Sequence, residues 1–220
     1  MCKLDDSKKL KLIQAGAGRV TEDDIVIMQH EIVPALQKLI TMCGGNPDSN
    51  GMMDTPYRII KAWLEMTEGY QENPAHHLLT SFDLEEGDFK LDPGADDIVI
   101  VKNIRVLSVC EHHILPFVGK AHVGYLPKDK AVGISKLSRL VQGYSKRFQI
   151  QEKLGHQIVT AIMEEVDAAG AIVYIDSLHT CMVARGVREH NANTVTIATR
   201  GAFREDKRLE EKFLIAIGGE

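Results

Sequence analysis

Asp97-Ile98-Val99-Ile100-Val101-Lys102-Asn103-Ile104-Arg105-Val106-Leu107-Ser108-Val109 runs directly into Cys110-Glu111-His112-His113. The first part is dense in Ile and Val, whose branched side chains suit a pleated, half-buried surface, and it predicts a strand. The second part closes that strand with a C-x-x-H pair, Cys110 and His113, a spacing that lets two side chains grip one metal ion around a tight turn.

Downstream the same texture returns in pairs. Gly119–Leu126 reads as a second strand, and Pro127-Lys128-Asp129-Lys130 as a turn. Ser135–Phe148 is expected to be helical, with Leu137, Leu140, Val141 and Tyr144 in register. Gln149–Ala168 follows as a second helix, with Ile150, Leu154, Ile158 and Ile162 aligned and Gly170 ending it. Ala171–Val183 and Thr194–Thr199 read as strands, and Glu205–Ile217 as a terminal helix. Two strands, two helices and two strands predict an α+β fold, with a four-stranded antiparallel sheet carrying two helices on one face.

Upstream, residues 1–21 carry little pattern and read as a loose or partly helical arm, and residues 22–96 as an N-terminal helical region ahead of a domain over 97–220. Thr21 suits a helix cap, Glu22, Asp23 and Asp24 suit the first turn, and Ile25, Met28, Ile32, Leu36 and Leu39 recur on one face. Gly44-Gly45-Asn46-Pro47 stops that helix. Thr55-Pro56 starts another, Thr55 as cap, with Ile59, Ile60, Trp63 and Leu64 as its buried stripe. Asn73 to Asp97 is polar and reads as a long loop with short extended pieces.

The chain of 220 residues can bury roughly 70% of its unfolded surface, so a core without disulfides is expected. A net charge of −5 argues against a general nucleic-acid binder, though not against a local basic pocket. The apolar runs are too short to span a membrane, and the N-terminus has no signal core, so a cytoplasmic protein is expected. Of the four cysteines, Cys43 lies in an apolar stretch and is expected to pack, and Cys2 to be exposed. Cys110 and Cys181 have ligand-like neighbours.

On a strand, His179 and Cys181 face the same side. Together with Cys110 and His113 they make four candidate ligands, with His112 beside them. Cys110, His113 and Cys181 alone would leave a fourth position open, the catalytic pattern, and free His112 and His179 to move protons. With His179 added, the site closes into a structural brace, and spacing does not choose between the two. The zinc deaminases need H-x-E and P-C-x-x-C, and neither occurs here. Lys136 and Arg139 sit early in the third helix behind Ser135, where free N–H groups favour an anion. With Arg185, Arg58 and Lys61 they make five cations in a net acidic chain, which suits a polyanionic small molecule. A solvated basic face is the plain alternative for Arg58 and Lys61.

Cys110-Glu111-His112-His113, Gly133-Ile134-Ser135-Lys136-Leu137, Arg147-Phe148-Gln149-Ile150-Gln151-Glu152 and His179-Thr180-Cys181-Met182 are together similar to the motifs of GTP cyclohydrolase I. So are Asp54-Thr55-Pro56-Tyr57-Arg58 and the run from Asn193 to Phe203. The resemblance spans roughly residues 22 to 217 in the expected order. It implies a tunnelling fold of order ββααββ, assembled into a toroidal decamer with active sites at subunit interfaces. It implies conversion of GTP and water to 7,8-dihydroneopterin triphosphate and formate, the entry to folate-type pterins. By the motif matches, Cys110, His113 and Cys181 would hold Zn²⁺, and His112 and His179 would be the acid–base groups. Glu152 and Gln151 would bind the substrate, with Glu152 anchoring the guanine. Ser135, Lys136, Arg139 and Arg185 would line the triphosphate and ribose, with Arg58 and Lys61 as further phosphate candidates.

Leu107, Ala184 and Arg200 depart from the commoner pattern of the family, which bears on packing or assembly and removes no catalytic side chain. A catalytically silent pterin or nucleotide binder, with zinc as a brace, is the reading from another class. A reductase of the same fold would need a free nucleophilic cysteine in place of a zinc pair.

Overall fold

The computed structural model describes residues 20–84 and 97–218, so most of the expected arm and part of the expected long loop lie outside the described residues. The chain divides into two compact units after Gln71.

In the first unit, α1 (Glu22–Ile27) starts on Thr21, whose hydroxyl accepts from the Asp24 N–H while the Asp24 carboxylate accepts from the Thr21 N–H. A π turn over Met28–Ile32 leads into α2 (Val33–Met42). Pro34 sits in the first turn of α2, and a proline ring there clashes with the carbonyl four residues back, which a widened turn relieves. The extra residue moves the buried stripe on by one. Met28, Val33, Leu36 and Ile40 are buried, while Ile32 and Leu39, expected inside, are exposed. Cys43, expected to pack, is exposed at the end of α2. Helix α3 (Thr55–Met66) follows, with Asp54 rather than Thr55 at the cap position and Pro56 in its first turn. Ile60 joins Met28, Val33 and Leu36 in one apolar cluster.

The second unit opens with a 3₁₀ segment (Pro74–Leu79) and a short strand, β1 (Ser81–Asp83). Then come β2 (Val99–Cys110), β3 (Pro116–Leu126), β4 (Lys130–Val132) and α4 (Ile134–Ser145). These are followed by β5 (Phe148–Gln149), α5 (Gln151–Val166), β6 (Gly170–His179) and a helical turn α6 (Thr180–Val183). The chain continues through β7 (Asn193–Gly201), α7 (Ala202–Glu205) and α8 (Lys207–Ile217). The fold is α+β. The main sheet has five strands in the order β5-β2-β3-β6-β7, antiparallel except where β5 pairs parallel to β2. The four long strands are those expected, and two-residue β5 is the addition. It forms because Val109 and Glu111 donate to the carbonyls of Arg147 and Gln149, taking the last residues out of the expected third helix.

Leu137, Leu140, Val141, Leu154, Ile158 and Ile162 of α4 and α5 bury against one face of this sheet. α5 ends on Asp167 in the left-handed region (φ 54), three residues before the expected Gly170. The terminal helix is broken at Asp206, which caps α8 by accepting from the Arg208 N–H. α8 lies on the opposite sheet face, with Phe213 packed on Ile172 and Phe203. Gly124 makes room for it, since a Cβ there would lie 2.8 Å from the Phe213 ring.

The strand expected over Ala171–Val183 stops at His179. Thr180 donates its hydroxyl to the Pro116 carbonyl at 2.5 Å, and residues 180–183 coil into α6. Cys181 therefore stands on a helical turn, and the same-side strand argument for His179 and Cys181 does not hold.

Candidate active site

The C-terminal ends of β2 and β6, the start of β3 and the N-terminus of α5 meet at one edge of the sheet. Cys110 pairs with Gln149, and Phe117 with His179. The link from β2 to β3 is a tight turn in which Ile114 donates to the Cys110 carbonyl and Cys110 to the Leu115 carbonyl. Ile114 has φ 53, a conformation a β-branched residue rarely adopts, so the turn is strained where it brings Cys110 and His113 together.

Cys110 Sγ lies 3.8 Å from His113 Nδ1 and 4.0 Å from His112 Nδ1. The α6 turn carries Cys181 to the same place, so that donor atoms of Cys110, His113 and Cys181 all lie within 4.8 Å of one another. Both sulfurs are buried and His113 is exposed. Two thiolates and an imidazole are the donor set that suits zinc. Burial pushes the Cys181 thiol up, and the neighbouring Cys110 sulfur adds to it. Two adjacent sulfurs carry thiolate charge only when a cation compensates them, so the residues present fit a divalent ion. Arg185 Nη1 lies 3.0 Å from His113 Nε2 and so borders the cluster.

His179 is half-buried and lies outside that three-residue group. Its Nε2 lies 2.9 Å from Gln151 Oε1, and its ring stacks on Phe117 at 4.5 Å between centroids. Burial pushes its pKa below the ordinary imidazole value, partly opposed by the negative charge of Glu152. His112 is exposed, its ring edge-on to His113. Glu152 stands exposed in the first turn of α5. Ser135, Lys136 and Arg139 occupy the first two turns of α4, which begins on Gly133 without a side-chain cap.

Arg58 and Lys61 belong to α3 in the first unit. Arg58 lies 3.7 Å from Asp54 at the cap of α3, and Lys61 3.6 Å from Glu65 one turn further along. Sequence reasoning did not find Phe117, the Thr180 bond to Pro116 or the strain at Ile114. Apolar alternation along β3 marks Phe117 only as core. The contact with His179 comes from strand register.

A profile of the GTP cyclohydrolase I family matches residues 32–218. The chain belongs to the GTP cyclohydrolase I family. GTP cyclohydrolase 1 of Homo sapiens is 41% identical over 197 residues, covering 90% of this chain and 76% of its own. The protein of the same name from Wolinella succinogenes is 40% identical over 193 residues, 88% of this chain and 97% of its own. That from Pelagibacter ubique is 39% identical over 205 residues, 93% and 98%. As a GTP cyclohydrolase I the chain is an enzyme, and its Cys110–His113–Cys181 group is a possible metal site consistent with zinc. No helix among the described residues is long and apolar enough to cross a membrane.

Proposed function

We propose that the chain converts GTP and water to 7,8-dihydroneopterin triphosphate and formate, with Zn²⁺ held by Cys110, His113 and Cys181. The observation that carries this reading is the convergence of those three ligand side chains, with His179 pinned outside the group. Bound there, zinc supplies Lewis acidity and a nucleophile at neutral pH.

The chain's own groups do the rest. Opening the five-membered ring of guanine requires a proton at nitrogen 7, which makes carbon 8 more electrophilic. Exposed His112 can carry that proton. His179, whose burial favours the neutral form, accepts one. Glu152 takes the two donors on the guanine edge. Ser135, Lys136, Arg139 and Arg185 meet the triphosphate and ribose. Arg58 and Lys61 are further phosphate-binding candidates in this reading, with Asp54 and Glu65 at 3.7 and 3.6 Å.

The fold reading is a tunnelling fold of order ββααββ in a cytoplasmic toroidal decamer with shared sites, at the entry to folate-type pterins. Exposed Val118, Val195 and Ile197 on the sheet face away from α4 and α5 support a covered surface there. A silent binder with His179 as a fourth ligand would need that ring to join Cys110, His113 and Cys181, a group it lies outside.

Incubation with GTP, followed by oxidation, should give pterin fluorescence that a chelator abolishes. His112→Ala and His179→Ala should each keep the metal and lose turnover by about 10²-fold or more. Loss of metal from His179→Ala would favour the closed site and overturn the catalytic one.

The cations yield a second expected result. GTP should bind far more tightly than guanosine, and high salt should erode the difference as screening shortens the reach of Lys136, Arg139 and Arg185. Equal affinity for the two would sink the phosphate assignment. A fully active monomer in a sedimentation experiment would refute the shared site.

A further inference from the structure

The hydrogen bond between Gln151 and His179 has a direction, and the surroundings fix it. Gln151 is 1% exposed. Its amide nitrogen lies 3.0 Å from the Ile175 carbonyl, 2.8 Å from the Thr194 carbonyl and 3.1 Å from Thr196 Oγ1. Backbone carbonyls only accept, so the atom facing them is the NH₂ group. Turned over, the amide would press its own oxygen against two others. Oε1 therefore faces His179 Nε2 at 2.9 Å. An amide oxygen has no proton to give, so the proton in that bond belongs to Nε2. A neutral imidazole carries one N–H, which leaves Nδ1 with its lone pair. Turning the ring over would offer Gln151 a carbon in place of Nε2. Phe117, fully buried, lies parallel to the ring at 8° and holds its plane.

We propose that Gln151 is a positioning residue that holds His179 as its Nε2–H tautomer, so that the lone pair of the ring stays on Nδ1. The inference rests on the reading of His179 as a proton-moving group. A carboxylate in this position would itself raise the basicity of the ring. The amide selects the tautomer and adds no charge.

The test reads the tautomer directly. In the metal-loaded, full-length protein labelled with ¹⁵N-histidine, the His179 resonances are those lost in His179→Gln. Near neutral pH they should show a pyrrole-type Nε2 and a pyridine-type Nδ1. A proton on Nδ1, or a metal-bound nitrogen, overturns the proposal without any turnover being measured. Gln151→Met keeps the packing and removes the hydrogen bonds. It should blur the single-tautomer signature and lower kcat about 10²-fold, the scale of a misplaced acid–base group. Metal content and the KM for GTP should stay near native. Unchanged kcat with an unchanged spectrum would refute the positioning role. Should Gln151→Met fail to fold, the native spectrum still decides, and Thr196→Val, which removes one acceptor, should weaken the same signature. An Nε2–H spectrum from a native protein that opens no GTP strikes the proposed reaction. Ring opening with an Nδ1–H spectrum strikes the tautomer alone.

Discussion

Cys181→Ser is expected to emerge from chelator washing and zinc reloading with almost no metal, and to open no GTP. Serine keeps the shape of the side chain, but its oxygen is a harder donor and does not ionise near neutral pH. The soft thiolate that favours zinc is lost. Cys181 stands on α6, whose position depends on the Thr180 hydroxyl at the Pro116 carbonyl, and serine leaves that bond intact. The loss should therefore be one of ligation, with circular dichroism native. Cys110→Ser should behave alike, since its sulfur completes the three-donor group. Cys43→Ser, at an exposed position, should keep full metal and full activity. Atomic spectrometry gives metal per chain, and pterin fluorescence gives turnover. Stoichiometric zinc in Cys181→Ser would overturn the ligand assignment, and native turnover without metal would overturn the role of the ion.

The other large effect concerns the choice of base. Guanine presents a ring N–H and an exocyclic amine side by side, and one carboxylate can accept from both in a short charge-assisted pair. Glu152 is exposed in the first turn of α5 and next to Gln151, close enough to His179 for its charge to act on that ring. Adenine offers a bare nitrogen on the same edge, lone pair facing lone pair. A site built to pair a donor rejects analogues lacking it by about 10⁴- to 10⁵-fold, so ATP should be near background. ITP lacks only the amine. The loss of one hydrogen bond to a charged group should cost about 1.5–3 kcal/mol, about 10- to 100-fold. Glu152→Gln should lose GTP turnover while keeping zinc. Comparison of kcat/KM for the three nucleotides on both proteins is the measurement. A mutant that handles GTP as the native protein does would return Glu152 to the role of a carboxylate favoured by the helix dipole.

Much of the second unit was legible because its strands and helices announce themselves in period and composition. Ile-Val density marked β2, the run Gly119–Leu126 gave all but the first three residues of β3, and the stripes of α4 and α5 lie close to their observed limits. The first unit was less legible. Pro34 was available in the sequence, yet the π turn before it, and the one-residue rotation of the buried stripe, follow from how the backbone relieves a clash. β5 is too short to carry a period at all and exists because β2 needed partners for its last N–H groups.

For the site, sequence alone determined the chemistry available: two cysteines and three histidines in two short motifs, a carboxylate beside a glutamine, and cations early in a helix. Spacing left open whether His179 was a ligand, and its strand argument for Cys181 rested on two-residue alternation that α6 breaks. Tertiary structure decided what those residues do to one another. Strand register set Phe117 against His179, a side-chain-to-carbonyl bond coiled the chain so that Cys181 reached Cys110, and three acceptors from β6 and β7 turned the Gln151 amide. A ligand's identity is local in sequence. Its direction, tautomer and neighbours depend on groups dozens of residues away, which only the closed sheet brings within hydrogen-bond reach.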